Sequence, residues 1–206
     1  MLSGAALDNA LAKLIVSRPL GGEWYRAVPK QYDGDPLGRG RPIRAMRFNR
    51  DGGTRVLYLG ETPTVCLDEV SAVGFPGAVT IYPVEIRLQA VLDLADAATR
   101  RALGLTRIDV LRNFRPMNSA GTDADTQILG EACARSAFVE AITFPSAANQ
   151  GGHALAVIES RLVVGKSHLL VRVPPGVDPA TVKAPSGLPS LPLAAPGDPP
   201  IWDKLP

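Results

Sequence analysis

Glu69 is where the sequence departs most sharply from packing logic. A helix starting at Pro63 turns about 100° per residue, which puts Val65, Cys66, Val70 and Val73 on one apolar arc. Glu69 falls inside that arc, whereas Asp68 is expected to point to solvent. A carboxylate on an inward face is costly unless it is paired or used. Two readings stand: an ion pair with a nearby arginine, or an acid, base or charge-stabilising group in a cleft. Arginines supply the second signal. Arg39, Arg41, Arg44, Arg47 and Arg50 fall within twelve residues, with no acid until Asp51. Guanidinium forks suit phosphate oxygens, although a solvated basic loop is the plainer reading. The run holds a single aromatic, Phe48, so it makes a poor stacking surface for nucleic acid. Arg26 shares a strand face with Trp24 and is either exposed at an edge or aimed into a cleft. Tyr58 either packs in the core or stacks on a flat ring. Ser146 follows Phe144-Pro145 at a strand end, where a hydroxyl meets a ligand or caps a turn.

These residues need elements to hold them. Leu7, Ala10, Leu11, Leu14 and Ile15 recur at helical spacing and predict an amphipathic opening helix. Residues 23–28 (EWYRAV) read as a strand, and the Pro, Gly and Asp clusters of 29–44 as a long loop. Residues 45–48 and 55–59 are expected as two short strands around the turn Asp51-Gly52-Gly53. Thr62 as N-cap and Pro63 at the first helical position start the Glu69 helix. Val84, Ile86 and Leu88 alternate with Glu85, Arg87 and Gln89, the pattern of a half-buried strand. A further helix follows Asp125, with Ile128, Leu129, Ala132 and Cys133 inward and Gln127, Glu131 and Arg135 opposite. Residues 139–144, 153–158 and 169–173 read as strands. Strands grouped in runs predict an α+β fold over a doubly wound α/β sheet.

Length and composition narrow the classes. At 206 residues the chain suits one domain and hides roughly 70% of its unfolded surface. A net charge of +2, from 22 basic and 20 acidic side chains, argues against nucleic-acid binding driven by bulk charge. Cys66 and Cys133 are too few for a disulfide scaffold. His153 and His168 lack ligand-spaced partners, so no metal is expected. No apolar run is long enough for a membrane span, and Asp8, Asn9 and Lys13 interrupt what a signal peptide would keep apolar. A soluble, cytoplasmic protein is the expectation. There is no GxSxG elbow, Walker loop or GxGxxG opening a helix. Ten of the 19 prolines lie between Pro174 and Pro206. Proline lacks the N–H that helices and central strands require. The expected organisation is therefore a domain over 1–173 and an extended Pro-rich tail over 174–206. Leu188, Leu191, Leu193, Ile201 and Trp202 give the tail the means to pack on the body, with the rest partly disordered.

Taken in order, WYR at 24–26, RFN at 47–49, VLYLGETPTVCLDEV at 56–70 and FPSA at 144–147 resemble the RES domain. That family is named for an Arg, a Glu and a Ser, and its members are typically toxins paired with an Xre-type antitoxin. The resemblance runs from about Trp24 to Arg161 and is most specific from Tyr58 to Glu69. By position the naming residues are Arg26, Glu69 and Ser146. Arg47 and Tyr58 match a further arginine and tyrosine of the family's pocket. Met46 stands where the family often has Gly, and the Pro-rich tail is longer than in compact members.

The resemblance implies an ADP-ribosyltransferase-like split β-core flanked by helices, around a cleft for NAD. In that cleft Arg26, Arg47, Tyr58, Glu69 and Ser146 would bind NAD as substrate, without a metal. Arg26, Glu69 and Ser146 would take part in catalysis. NAD offers a diphosphate to Arg26 and Arg47 and a flat nicotinamide to Tyr58. Loss of nicotinamide leaves an oxocarbenium-like ribose, which the Glu69 carboxylate is suited to stabilise, while Ser146 orients the ribose or amide. The implied function is a toxin that cleaves the nicotinamide–ribose bond, as glycohydrolase or phosphorylase, and depletes NAD. One alternative is a mono-ADP-ribosyltransferase acting on a host protein. Another is a non-enzymatic module that binds a phosphorylated ligand or nucleic acid through the arginine run. Water, phosphate and a protein side chain all remain open as acceptors. The implied partner is an Xre-type helix-turn-helix antitoxin, in a complex that has room for a toxin homodimer. No direct contact with nucleic acid or membrane is expected.

Overall fold

The computed structural model describes residues 1–14, 19–38, 42–74 and 77–177. Ile15, Arg39, Arg41 and the Pro-rich tail beyond residue 177 lie outside the described residues. In chain order the elements are α1 (Gly4–Lys13), β1 (Leu20–Pro29), β2 (Val56–Gly60), α2 (Pro63–Ala72), β3 (Val79–Leu88) and β4 (Val91–Asp93). Then come α3 (Ala97–Ala102), α4 (Arg107–Leu111), α5 (Arg115–Ser119), α6 (Asp125–Arg135), β5 (Ala141–Pro145), β6 (His153–Ile158) and β7 (His168–Val171). The class is α+β, as the grouping of strands requires. No helix among the described residues is long and apolar enough to cross a membrane.

The strands form one sheet in the order β4-β5-β6-β2-β1-β3-β7. β1 runs beside β3 from Leu20 opposite Leu88 to Pro29 opposite Val79. Against β2 it makes one register pair, Tyr25 with Gly60. The sheet is therefore split: β1 and β2 touch at one point, and the opening between them is walled by residues of both strands. β2 is held on its other edge by five register pairs with β6. Strand alternation along β6 sends Ala154, Ala156 and Ile158 to an apolar cluster with α1 and α6. Leu155 and Val157 go to a second cluster with Trp24, Val28, Tyr82 and Val84.

Local signals position α2. Thr62 Oγ1 accepts the Val65 amide at 3.2 Å and Pro63 occupies the first turn, so the helix starts where capping chemistry predicts. A Cβ at Gly60 would sit 2.9 Å from both the amide nitrogen and the Sγ of Cys66. Glycine thus lets α2 begin directly against the end of β2. The opening helix forms as expected, burying Leu7 and Leu11.

The structure corrects two readings. Residues 45–48 do not form a strand; a single bridge joins Met46 to Asn49. Side chains satisfy this corner instead of a neighbouring strand. Gln127 Nε2 donates to the carbonyls of Met46 at 2.9 Å and Asn49 at 3.2 Å. Gln127 is accordingly fully buried, not on the solvent face of α6. The corner also lies flush on the helix: a Cβ at Gly130 would fall 1.8 Å from the Phe48 carbonyl oxygen. On the same helix Glu131 is half-buried, accepting from the amide and hydroxyl of Thr54 at 3.1 and 3.2 Å. The short helices α3 to α5 had no sequence counterpart, since one or two turns carry too little periodicity to read.

Candidate active site

The gap between β1 and β2 widens into a cleft of about 480 Å³. Arg26 enters from β1, Tyr58 from β2, Glu69 from α2 and Arg47 from the corner packed on α6. Four of the five expected site residues thus line one cavity, though separated by up to 43 positions in sequence (26 to 69). The fifth, Ser146, is buried just after β5 and reaches the cleft through Glu69.

Glu69 Oε1 accepts the Ser146 hydroxyl at 2.5 Å and the Ala147 amide at 3.1 Å. Oε2 accepts no hydrogen bond from the described residues. The ion-pair reading of Glu69 is therefore replaced by a hydroxyl and a backbone amide on one oxygen. Ser146 also caps its own turn, since Oγ accepts the amides of Ala148 at 3.2 Å and Asn149 at 3.0 Å. Asp68, expected in solvent, is half-buried and accepts from Asn149 Nδ2 at 2.5 Å. The loop after β5 folds back over α2 and covers that carboxylate.

The arginines are partly spent on backbone. Arg26 donates through Nε to the Pro36 carbonyl at 2.7 Å and through Nη1 to the Tyr58 carbonyl at 2.9 Å. Its fork thereby fixes the entry loop to β2. Arg47 Nη1 donates to the carbonyls of Val110 at 2.6 Å and Arg112 at 3.0 Å. Its guanidinium lies 5.9 Å from the centre of the Phe144 ring. Burial pulls the Arg47 pKa below the ordinary arginine value, against the opposing charge of Glu69; a guanidinium remains a cation under such conditions. Tyr58 accepts the Phe48 amide at 2.9 Å and donates to Asn49 Oδ1 at 2.8 Å. Burial pushes its phenol well above the ordinary range, so the ring is neutral. Cys66 is also raised by burial and gives its proton to the Tyr25 carbonyl at 2.8 Å, which makes it a wall, not a nucleophile.

The described members of the arginine run, Arg44, Arg47 and Arg50, do not act as one patch. Arg44 and Arg47 line the cleft, whereas Arg50 pairs with Asp123 at 2.9 Å. Trp24, on the Arg26 face, goes into the core. Sequence reasoning passed over Asn49 and Arg55. Asn49 is buried and holds Tyr58; its place in the RFN triplet was the available signal. Arg55 lines the cleft and donates to the Gly38 carbonyl at 2.7 Å, a contact no local pattern announces.

The family profile described as RES domain matches residues 23–174, a span containing every residue of this constellation. The chain belongs to the RES domain family. No curated protein matches it significantly. Among solved structures, this RES domain is similar to a chain of the M. tuberculosis MbcT–MbcA toxin–antitoxin complex. The TM-score is 0.58 at 20% identity, over 81% of this chain and 90% of that one. At that identity the likeness is one of fold.

Proposed function

We propose that this RES domain cleaves the bond between nicotinamide and ribose in NAD, as the toxin of a toxin–antitoxin pair. The half-used carboxylate of Glu69 carries the reading. One oxygen is anchored by Ser146 and Ala147, and the other is unbonded in a residue that lines the cleft together with Arg26, Arg44, Arg47 and Arg55. A fixed carboxylate beside a ribose is suited to the positive charge that develops as a cationic leaving group departs. Arg47 Nε and Nη2 bond to none of the described residues and are suited to diphosphate oxygens. Arg26 supports the same region while bracing the entry loop. The neutral Tyr58 ring offers a flat face for nicotinamide. Residues 1–173 would carry the chemistry and the tail would not.

Membership of the RES family and a fold shared with a toxin–antitoxin complex support the biological half of the reading. The partner would be an Xre-type helix-turn-helix antitoxin that blocks the cleft in the cytoplasm. Incubating the purified protein with NAD and measuring free nicotinamide tests the activity. Release from NAD alone supports degradation, and acceleration by phosphate identifies a phosphorylase. Release only in the presence of lysate replaces the reading with ADP-ribosyl transfer. No release under either condition overturns it.

A further inference from the structure

Two consecutive carboxylates of α2 hold the same loop. Glu69 Oε1 takes the Ser146 hydroxyl and Ala147 amide, and one residue earlier Asp68 Oδ2 takes Asn149 Nδ2. Successive helical residues point about 100° apart, so a loop reaches both only by wrapping the helix. Residues 146–152 do this. The Ser146 amide donates to the Gly152 carbonyl at 2.8 Å, and the Gly152 amide to the Asn149 carbonyl at 3.2 Å. A Cβ at Gly152 would lie 2.6 Å from Asn149 Oδ1 and equally close to Val65 Cγ2 of α2. The loop therefore sits directly on the helix at that point.

A serine hydroxyl has one proton and two lone pairs. The amides of Ala148 and Asn149 occupy the acceptor side of Ser146 Oγ, so its proton belongs to Glu69. A hydroxyl committed in this way neither attacks a substrate nor donates to one. We infer that Ser146 and Asn149 are positioning residues: Asn149, latched to Asp68, seats the loop that delivers two donors to Glu69 Oε1 and leaves Oε2 facing the cleft. This inference rests on the reading of the cleft as an NAD-cleaving site.

Asn149→Asp tests it without touching Glu69 or Ser146, because it sets two carboxylates against each other. The double variant Asp68→Asn with Asn149→Asp restores an amide–carboxylate pair in reverse. Asn149→Ala provides a version without added charge. Two quantities are read on each protein: amide hydrogen exchange at residues 147–149, and the kcat and KM for nicotinamide release. Loss of orientation is expected to raise loop exchange and lower kcat about tenfold, with KM nearly unchanged, the split that marks transition-state interactions. The swap should recover both. Exchange that does not change in Asn149→Asp, or kcat that holds while exchange rises, overturns the proposal. If the wild-type protein releases no nicotinamide, the NAD reading fails by itself, and unchanged loop exchange would separately remove the latch.

Discussion

Two inward carboxylates in this RES domain are held in opposite ways. Glu140, at the foot of β5, is 1% exposed and uses both oxygens. Oε2 accepts the amides of Gln89 and Ala90 at 2.5 and 3.1 Å. Oε1 accepts the Val163 amide at 2.7 Å and the Ser167 hydroxyl at 2.5 Å. Those four donors come from the β3–β4 turn and the loop before β7, so Glu140 stitches three segments together. Glu69 is only partly buried and has one oxygen anchored. A protein that buries a carboxylate for structure satisfies all of it, since each unmatched donor or acceptor is a loss. A carboxylate kept for a ligand is fixed at one end and left open at the other.

The largest effect should come from Glu140→Gln. An amide NH2 would face donors where an acceptor stood, leaving two groups unmatched at roughly 1–3 kcal/mol each. A loss of about 4 kcal/mol should lower Tm by roughly 10 °C in a domain of this size, while nicotinamide release per folded molecule stays at the wild-type rate. Calorimetry and the activity assay on one sample check both halves.

Glu69→Gln should give the mirror image. It keeps shape and most hydrogen bonding but removes the charge. NAD turnover should fall at least ~10²-fold, the scale of one electrostatic catalytic group, with Tm close to wild type. A destabilised but fully active Glu69→Gln would erase the difference between the two carboxylates.

Arg47→Lys sharpens the comparison from the cationic side. A point charge cannot hold the Val110 and Arg112 carbonyls and also present a fork to a diphosphate. Affinity for NAD should weaken about tenfold, in the range for a charge-assisted contact, as titration calorimetry would show. The smallest effect is expected from ending the chain after residue 177. Every protein partner of Glu69 and Glu140 lies at or before Ser167, so turnover per folded molecule should be unchanged. Lost activity in a folded truncation would show that the tail completes the site.

Much of this molecule follows from neighbouring residues alone. Thr62-Pro63 starts α2 because capping needs only a hydroxyl and a free amide three residues on. The alternation of Val84, Ile86 and Leu88 and the spacing of Leu7 and Leu11 place their faces because burial follows backbone periodicity. Those two rules also put Glu69 inward before any fold is known. The order WYR, RFN, VLYLGETPTVCLDEV and FPSA carried the family likeness, since motif order survives where single residues are ambiguous.

Tertiary structure decided what each inward or polar group meets. Residues 45–48 have strand-like composition, yet buried Gln127 and the close approach at Gly130 make them a corner on α6, and a strand requires a partner that local sequence does not supply. Asp68 looked solvent-bound until the loop after β5 folded over it. Glu140 showed no signal, because its four donors arrive from segments 23 to 51 positions away. The same holds for Ser146, whose proton is assigned only when the turn amides and Glu69 are seen together. Hydrogen bonds between distant segments depend on geometry to within tenths of an ångström, and that geometry is set by packing of the whole sheet, not by any stretch of chain.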